Sequence, residues 1–256
     1  MLHYTKYEHT DSKEWVTFIH GAGGSSSVWF RQIKIFKENF NVLLVDLRGH
    51  GKSKAIINKV RKYSFEMVSK DVVDVLDHLK IESSHFVGIS LGTILIREIA
   101  ERHPYRIKSM ILSGAILKLN FQSQLLMKIG YWLKSFLPYM LLYKLFAFVI
   151  LPKRKHKSSR SVFIREAKKL YQKEFLRWYK LTTDVNQVLK IFRHKKVQVP
   201  TLFIMGDEDY MFLPTVEDFV SKNPNSRLVV VENCGHIVNV ESFSIFNKEA
   251  ISFIKE

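Results

Sequence analysis

The chain has 256 residues, 46% of them hydrophobic, and a formal net charge of +16. That is enough apolar material for one sizeable core, which excludes a disordered chain. A single cysteine, Cys234, excludes an internal disulfide framework and fits a reducing, cytoplasmic compartment.

The N-terminus, Met1-Leu2-His3-Tyr4-Thr5-Lys6, is polar and does not read as a secretory signal. Glu14 to Ile19 is rich in β-formers and predicts a strand, ending in the glycine-rich loop His20-Gly21-Ala22-Gly23-Gly24-Ser25. A helix is expected near Val28–Glu38. Phe40 to Asp46 is a continuous apolar run, as a strand buried on both faces requires. It leads into Leu47-Arg48-Gly49-His50-Gly51-Lys52-Ser53, where the G-x-G lacks the third glycine and the acid of a dinucleotide site. Residues 54–64, with Lys54, Lys59, Arg61 and Lys62, form a basic loop. Phe65 to Leu79 carries a helical apolar stripe, and Asp71, Asp74 and Asp77 lie off it on a solvated face.

His85-Phe86-Val87 ends the next buried strand. Leu91 to Arg102 has apolar residues at helical spacing and stops at His103-Pro104, because the residue before proline disfavours the helical region. Ser109 to Ala115 is a further strand. The alternation lapses between Leu117 and Val199, then resumes with strands at 201–205 and 227–231 and a closing helix from Phe243 to Ile254. Strands alternating with helices predict a mostly parallel central sheet with helices on both faces. No internal repeat is visible.

Residues 118–196 hold 19 Lys and Arg against three acids, Glu166, Glu174 and Asp184, whereas the remainder of the chain carries 21 charges of each sign. All the excess charge therefore belongs to one mostly helical insertion. On a helical wheel, Leu125, Leu126, Ile129, Trp132, Leu133 and Phe136 share one side. Tyr131, Lys128, Lys134 and Ser135 take the other. Lysines interrupt every apolar run, so a membrane-spanning helix is excluded. Two readings stay open: a cap packed on the catalytic domain and lining a substrate pocket, or such a cap that also lies peripherally on an anionic membrane. The run Pro152 to Arg160 is an exposed basic loop. Nucleic acid is not the expected partner, since the aromatics nearby sit at packing positions.

The organising stretch is Gly88-Ile89-Ser90-Leu91-Gly92, a serine between two glycines, set between a strand and a helix. With the loop at His20–Ser25, the Asp46–Ser53 turn, Gly206-Asp207-Glu208-Asp209 after one strand and Cys234-Gly235-His236 after another, it resembles the α/β-hydrolase fold family. The resemblance implies a core of residues 1–117 and 197–256 with an inserted helical, strongly basic cap at 118–196. It makes Ser90 the nucleophile and His236 the base. The family's G-x-x-D pattern selects Asp209 as the acid, with Asp207 and Glu208 as competing assignments. The oxyanion donors become the backbone amides of Leu91 and Ala22, with Gly23 as the alternative. Asp46, Arg48 and His50 shape the scaffold, and Cys234 is not a nucleophile. The implied activity is that of a serine esterase or lipase-like enzyme, acting on a small-molecule ester or thioester with an apolar acyl group. A lyase or carbon–carbon hydrolase of the same fold acting on a small anionic metabolite is the first alternative. A catalytically inactive binding protein is the second. The chemistry requires no cofactor and no metal.

Overall fold

In a computed structural model, seven strands form one sheet in the order β1-β3-β2-β4-β5-β6-β7. The structure describes residues 1–55, 62–134, 136–194 and 198–256, apart from the side chains of Ala55, Thr183, Ile191, Arg193 and His194. Lys59 and Arg61 of the expected basic loop, Ser135, and Lys195 and Lys196 of the insertion lie outside the described residues. The strands are β1 Tyr4–Tyr7, β2 Trp15–Ile19, β3 Asn41–Val45, β4 Ser84–Ile89, β5 Ile107–Ser113, β6 Thr201–Gly206 and β7 Ser226–Val231. All neighbours pair in parallel except β1, which runs antiparallel along β3 with Tyr4 opposite Val45. β1 was not expected: Tyr-Thr-Lys-Tyr has no buried run, and it earns its place by pairing at the sheet edge.

The helices are α1 Ile33–Lys37, α2 Phe65–His78, α3 Leu91–Arg102, α4 Phe121–Leu133, α5 Tyr139–Ile150, α6 Lys157–Ala167, α7 Gln172–Thr183, α8 Val185–His194, α9 Leu213–Val220, α10 Val238–Glu241 and α11 Phe243–Lys255. The helix expected near Val28–Glu38 is instead a short 3-10 turn at Ser26–Trp29 followed by α1.

Successive strand residues point to opposite faces of the sheet, and here both faces are buried. Leu43, Phe86, Met110 and Leu112 meet α2 and α3 in one core. Val42, Leu44, Val87 and Ile111 meet Trp29, Phe36 and Phe246 in the other. Each such side chain contributes roughly 1.5–3 kcal/mol through burial. This explains why the strands read as unbroken apolar runs. Helices α4 to α8 occupy the interval between β5 and β6, and part of that segment makes a third, smaller apolar cluster around Leu142, Tyr143 and Phe175. Among the described residues, no helix is long and apolar enough to cross a membrane.

The wheel places the apolar stripe of α4 correctly, but the stripe does not pack on the domain. Phe121, Leu125, Ile129 and Trp132 face solvent, as does Phe136 beyond the helix end, while Ser123 and Gly130 are buried. The small residues let α4 approach α5: a side chain at Gly130 would lie 2.6 Å from the Phe146 ring. A wheel reports that a stripe exists and not what it faces.

Candidate active site

Ser90 sits where β4 ends and α3 begins, with φ 54° and ψ −122°. This backbone region is sparsely populated for a residue with a side chain, and holding it costs about 1–3 kcal/mol. The surroundings enforce it. Ser90 N–H donates to Ser113 O at 3.0 Å, and Thr93 N–H donates to Ser90 O at 2.9 Å. Gly92 is needed because a side chain there would lie 2.4 Å from Ile19 O, so α3 could not cross so close to β2.

Asp209 follows β6 and His236 follows β7, the two strands being neighbours in the sheet. Both side chains are buried, and His236 Nδ1 lies 2.7 Å from Asp209 Oδ2. Ser90 and His236 line one small cavity of about 40 Å³ together with Gly21 and Ala22. Asp207 and Glu208, the competing acids, are engaged elsewhere. Asp207 Oδ1 accepts the Cys234 N–H at 3.1 Å and so holds the loop after β7. Glu208 takes Lys153 Nζ at 2.6 Å, Lys155 Nζ at 2.7 Å and the buried His156 Nε2 at 2.9 Å. Burial opposes its charge, but these cations hold its carboxyl down at about 2.

Ala22 and Leu91 both border a larger cavity that also reaches Ser90. The Gly23 N–H is donated to His50 Nε2 at 2.9 Å. His50 accepts there because it is neutral: burial, and then the neighbouring His20, push its value down to about 3. His20 is likewise held below its ordinary value by burial; its Nε2 accepts the Leu47 N–H at 3.0 Å. Asp46 accepts the Ser26 N–H at 2.7 Å and the Lys52 N–H at 2.9 Å. Arg48 pairs with Asp71 through both Nε and Nη2. These residues tie the two loops together around Ser90. Cys234 is fully buried, and burial pushes its thiol up to about 12, far from a reactive thiolate.

The larger cavity measures about 190 Å³. It runs from Ser90 between Ile94, Leu119, Met127, Phe146 and Met211, and among the described residues no charged side chain lines it. Its aromatic walls turn their polar tips outward. Tyr143 Oη donates to Ala22 O at 2.6 Å, Trp178 Nε1 donates to Arg48 O at 2.9 Å, and Tyr179 Oη donates to Met127 O. The space is left almost wholly apolar. Tyr143, His50 and the His156–Glu208 contact were not identified from the sequence. The partners are 121, 27 and 52 residues apart, and nothing local marks them.

A family model described as the alpha/beta hydrolase fold matches residues 14–243. The chain is 30% identical over 119 residues to 3-oxoadipate enol-lactonase 2 of Acinetobacter baylyi, over 46% of this chain and 43% of that protein. It is 23% identical over 96% of its length, and 92% of the relative's, to a Bacillus subtilis protein that carries the name of a 2-succinyl-6-hydroxy-2,4-cyclohexadiene-1-carboxylate synthase. The chain spans less than half the length of the first curated relatives it matches. Among solved structures, the enol-lactonase from Burkholderia xenovorans LB400 aligns with a TM-score of 0.81 at 21% identity, over all of this chain and 96% of the other. That is a likeness of fold.

Proposed function

The chain belongs to the α/β-hydrolase fold family, and from that premise we propose that it is a serine hydrolase cleaving a carboxylic ester, a thioester or a lactone with an apolar acyl group. The observation that carries this reading is the buried His236–Asp209 pair at 2.7 Å, opening onto the cavity bordered by Ser90 on its strained turn.

A serine hydroxyl is a poor nucleophile at neutral pH. His236 Nε2 takes its proton as Oγ bonds to the acyl carbon. Asp209 accepts from Nδ1–H, which fixes the tautomer and stabilises the imidazolium. The carbonyl oxygen becomes an oxyanion held by the N–H groups of Leu91 and Ala22, each worth on the order of 3 kcal/mol. Gly23 is the weaker choice of donor, because its N–H already serves His50. The imidazolium then returns the proton to the departing alkoxide, thiolate or ring oxygen, and the C–O or C–S bond breaks. Water, deprotonated by His236, releases the acid from Ser90 by the same steps in reverse. Helices α4 to α8 act as the cap, since α4, α5 and α7 supply much of the acyl-side wall.

One observation favours a second reading, a lyase acting on a small anionic metabolite: the near-full-length similarity to the Bacillus subtilis synthase-named protein. The uncharged lining of the cavity weighs against it, because a buried carboxylate without a partner is costly. A series of ester substrates of increasing acyl length, with fluorophosphonate labelling of Ser90, separates the readings. Medium-chain esters are expected to exceed acetyl esters in kcat/KM by about tenfold or more, as a few buried methylenes supply. A preference for acetyl esters, or an unlabelled Ser90, removes the proposal.

A further inference from the structure

The outer surface of the α4–α5 pair is apolar where a covering helix is expected to be polar. On α4 the outward residues are Phe121 (79% exposed), Leu125, Ile129 and Trp132 (75%), followed by Phe136 (82%). On α5 they are Leu141, Leu145, Phe148 and Val149. The stripes lie on adjacent helices, since Gly130 of α4 packs on Phe146 of α5. Exposed Lys128 and Lys144 interrupt them. Lys134 caps the Tyr131 ring at 3.2 Å and Arg160 stands 4.6 Å from the Phe148 ring. An exposed apolar surface of this extent marks an interaction site.

We propose that this face docks on an anionic lipid bilayer, with Phe121, Trp132, Phe136 and Phe148 entering the headgroup boundary and the surrounding cations meeting lipid phosphates. Charge complementarity selects the occupant. The segment carries 19 Lys and Arg against three acids, so a second copy would bring like charge to like charge. Nucleic acid would need cations in an unbroken track, whereas here apolar residues hold the centre of the surface. A bilayer surface accepts both, burying aromatics while each nearby Lys or Arg adds about 1 kcal/mol. The same two helices present Met127 and Phe146 to the substrate cavity on their inner side. Docking therefore sets the cavity wall against the bilayer that would supply apolar acyl substrates. The docking does not depend on the hydrolase reading, and its test reads binding and no turnover.

The full chain is mixed with vesicles of phosphatidylglycerol and phosphatidylcholine, and with phosphatidylcholine alone, and sedimented. Trp132 is the natural reporter: Trp29 and Trp178 are buried and Trp15 half-buried. Binding is expected only with phosphatidylglycerol present. It should weaken by about tenfold or more when salt rises from about 0.01 to about 1 M, as the Debye length falls from about 30 to about 3 Å. Tryptophan emission should shift to the blue, and Trp132→Phe should still bind without that shift. The doubles Trp132→Ser/Phe136→Ser and Lys128→Glu/Lys144→Glu should each lose most binding while ester turnover in vesicle-free buffer is unchanged. Four outcomes overturn the proposal: no co-sedimentation at low salt, binding that survives the first double, binding with no change in Trp132 emission, or a dimer in solution that the first double dissociates.

Discussion

The sheet and the helices inserted between β5 and β6 solve the problem of burial in opposite ways. The sheet hides apolar side chains on both faces, and the residues outside the insertion carry equal numbers of each charge. The insertion carries the whole excess of positive charge, keeps only a small cluster of its own, and turns aromatic side chains to solvent. The first region is built to hold a few atoms still. The second is built to meet something. The difference separates chemistry from access: groups of low tolerance sit on strand ends, and groups that choose or reach a substrate sit on helices tied down by a few long-range contacts.

The largest test of that division is Ser90→Ala. It should lower ester turnover by roughly 10⁴-fold with the melting temperature little changed, whereas Trp132→Ser should leave turnover in solution alone. A folded Ser90→Ala protein of full activity would move the chemistry out of the sheet.

Acid should break the sheet region through its buried imidazoles. The fold holds His20 and His50 below the ordinary histidine value, and the unfolded chain protonates them near 6.5. Their contribution is thus complete above about pH 6.5 and is lost as pH falls from there toward His50's own value of about 3. Each site adds a slope of up to about 1.4 kcal/mol per pH unit. Denaturant titrations between neutral and mildly acidic pH should show this fall, and His50→Gln should flatten it. An unchanged slope in that variant contradicts the neutral assignment.

A smaller effect sharpens the boundary between the regions. Tyr143 reaches from α5 to the Ala22 carbonyl. Tyr143→Phe removes one hydrogen bond, about 1 kcal/mol, and should lower kcat by about fivefold while hardly moving KM. A change confined to KM would make Tyr143 a wall residue only. The smallest expectation concerns strain. Glycine accepts the backbone angles of Ser90, so Ser90→Gly should gain about 1 kcal/mol in stability over Ser90→Ala. Equal stabilities would mean that the turn is relaxed.

The parts that could be read along the chain are those fixed by local rules. Strands β2 to β7 announce themselves because both faces are buried, and Gly88-Ile89-Ser90-Leu91-Gly92 because a strand must turn into a helix in few residues. The four-residue Gly206–Asp209 stretch was ambiguous as chemistry, since it offers three carboxylates. The structure separates them by their partners: a backbone amide for Asp207, cations for Glu208, an imidazole for Asp209. What stayed hidden depends on residues far apart. β1 exists only through pairing with β3, and the direction of the α4 stripe depends on Gly130 meeting Phe146. His156 looks like one more member of a basic run until Glu208 appears beside it.

That last contact has a mechanical side. Glu208 grips Lys153, Lys155 and His156 and is joined by a single peptide bond to Asp209. The insertion cannot lift at that end without tugging the main chain that carries the imidazole's carboxylate. Opening the entrance and loosening the proton relay are thereby geared to one another, and a molecule bound against α5 and α6 would be felt at the imidazole without touching it.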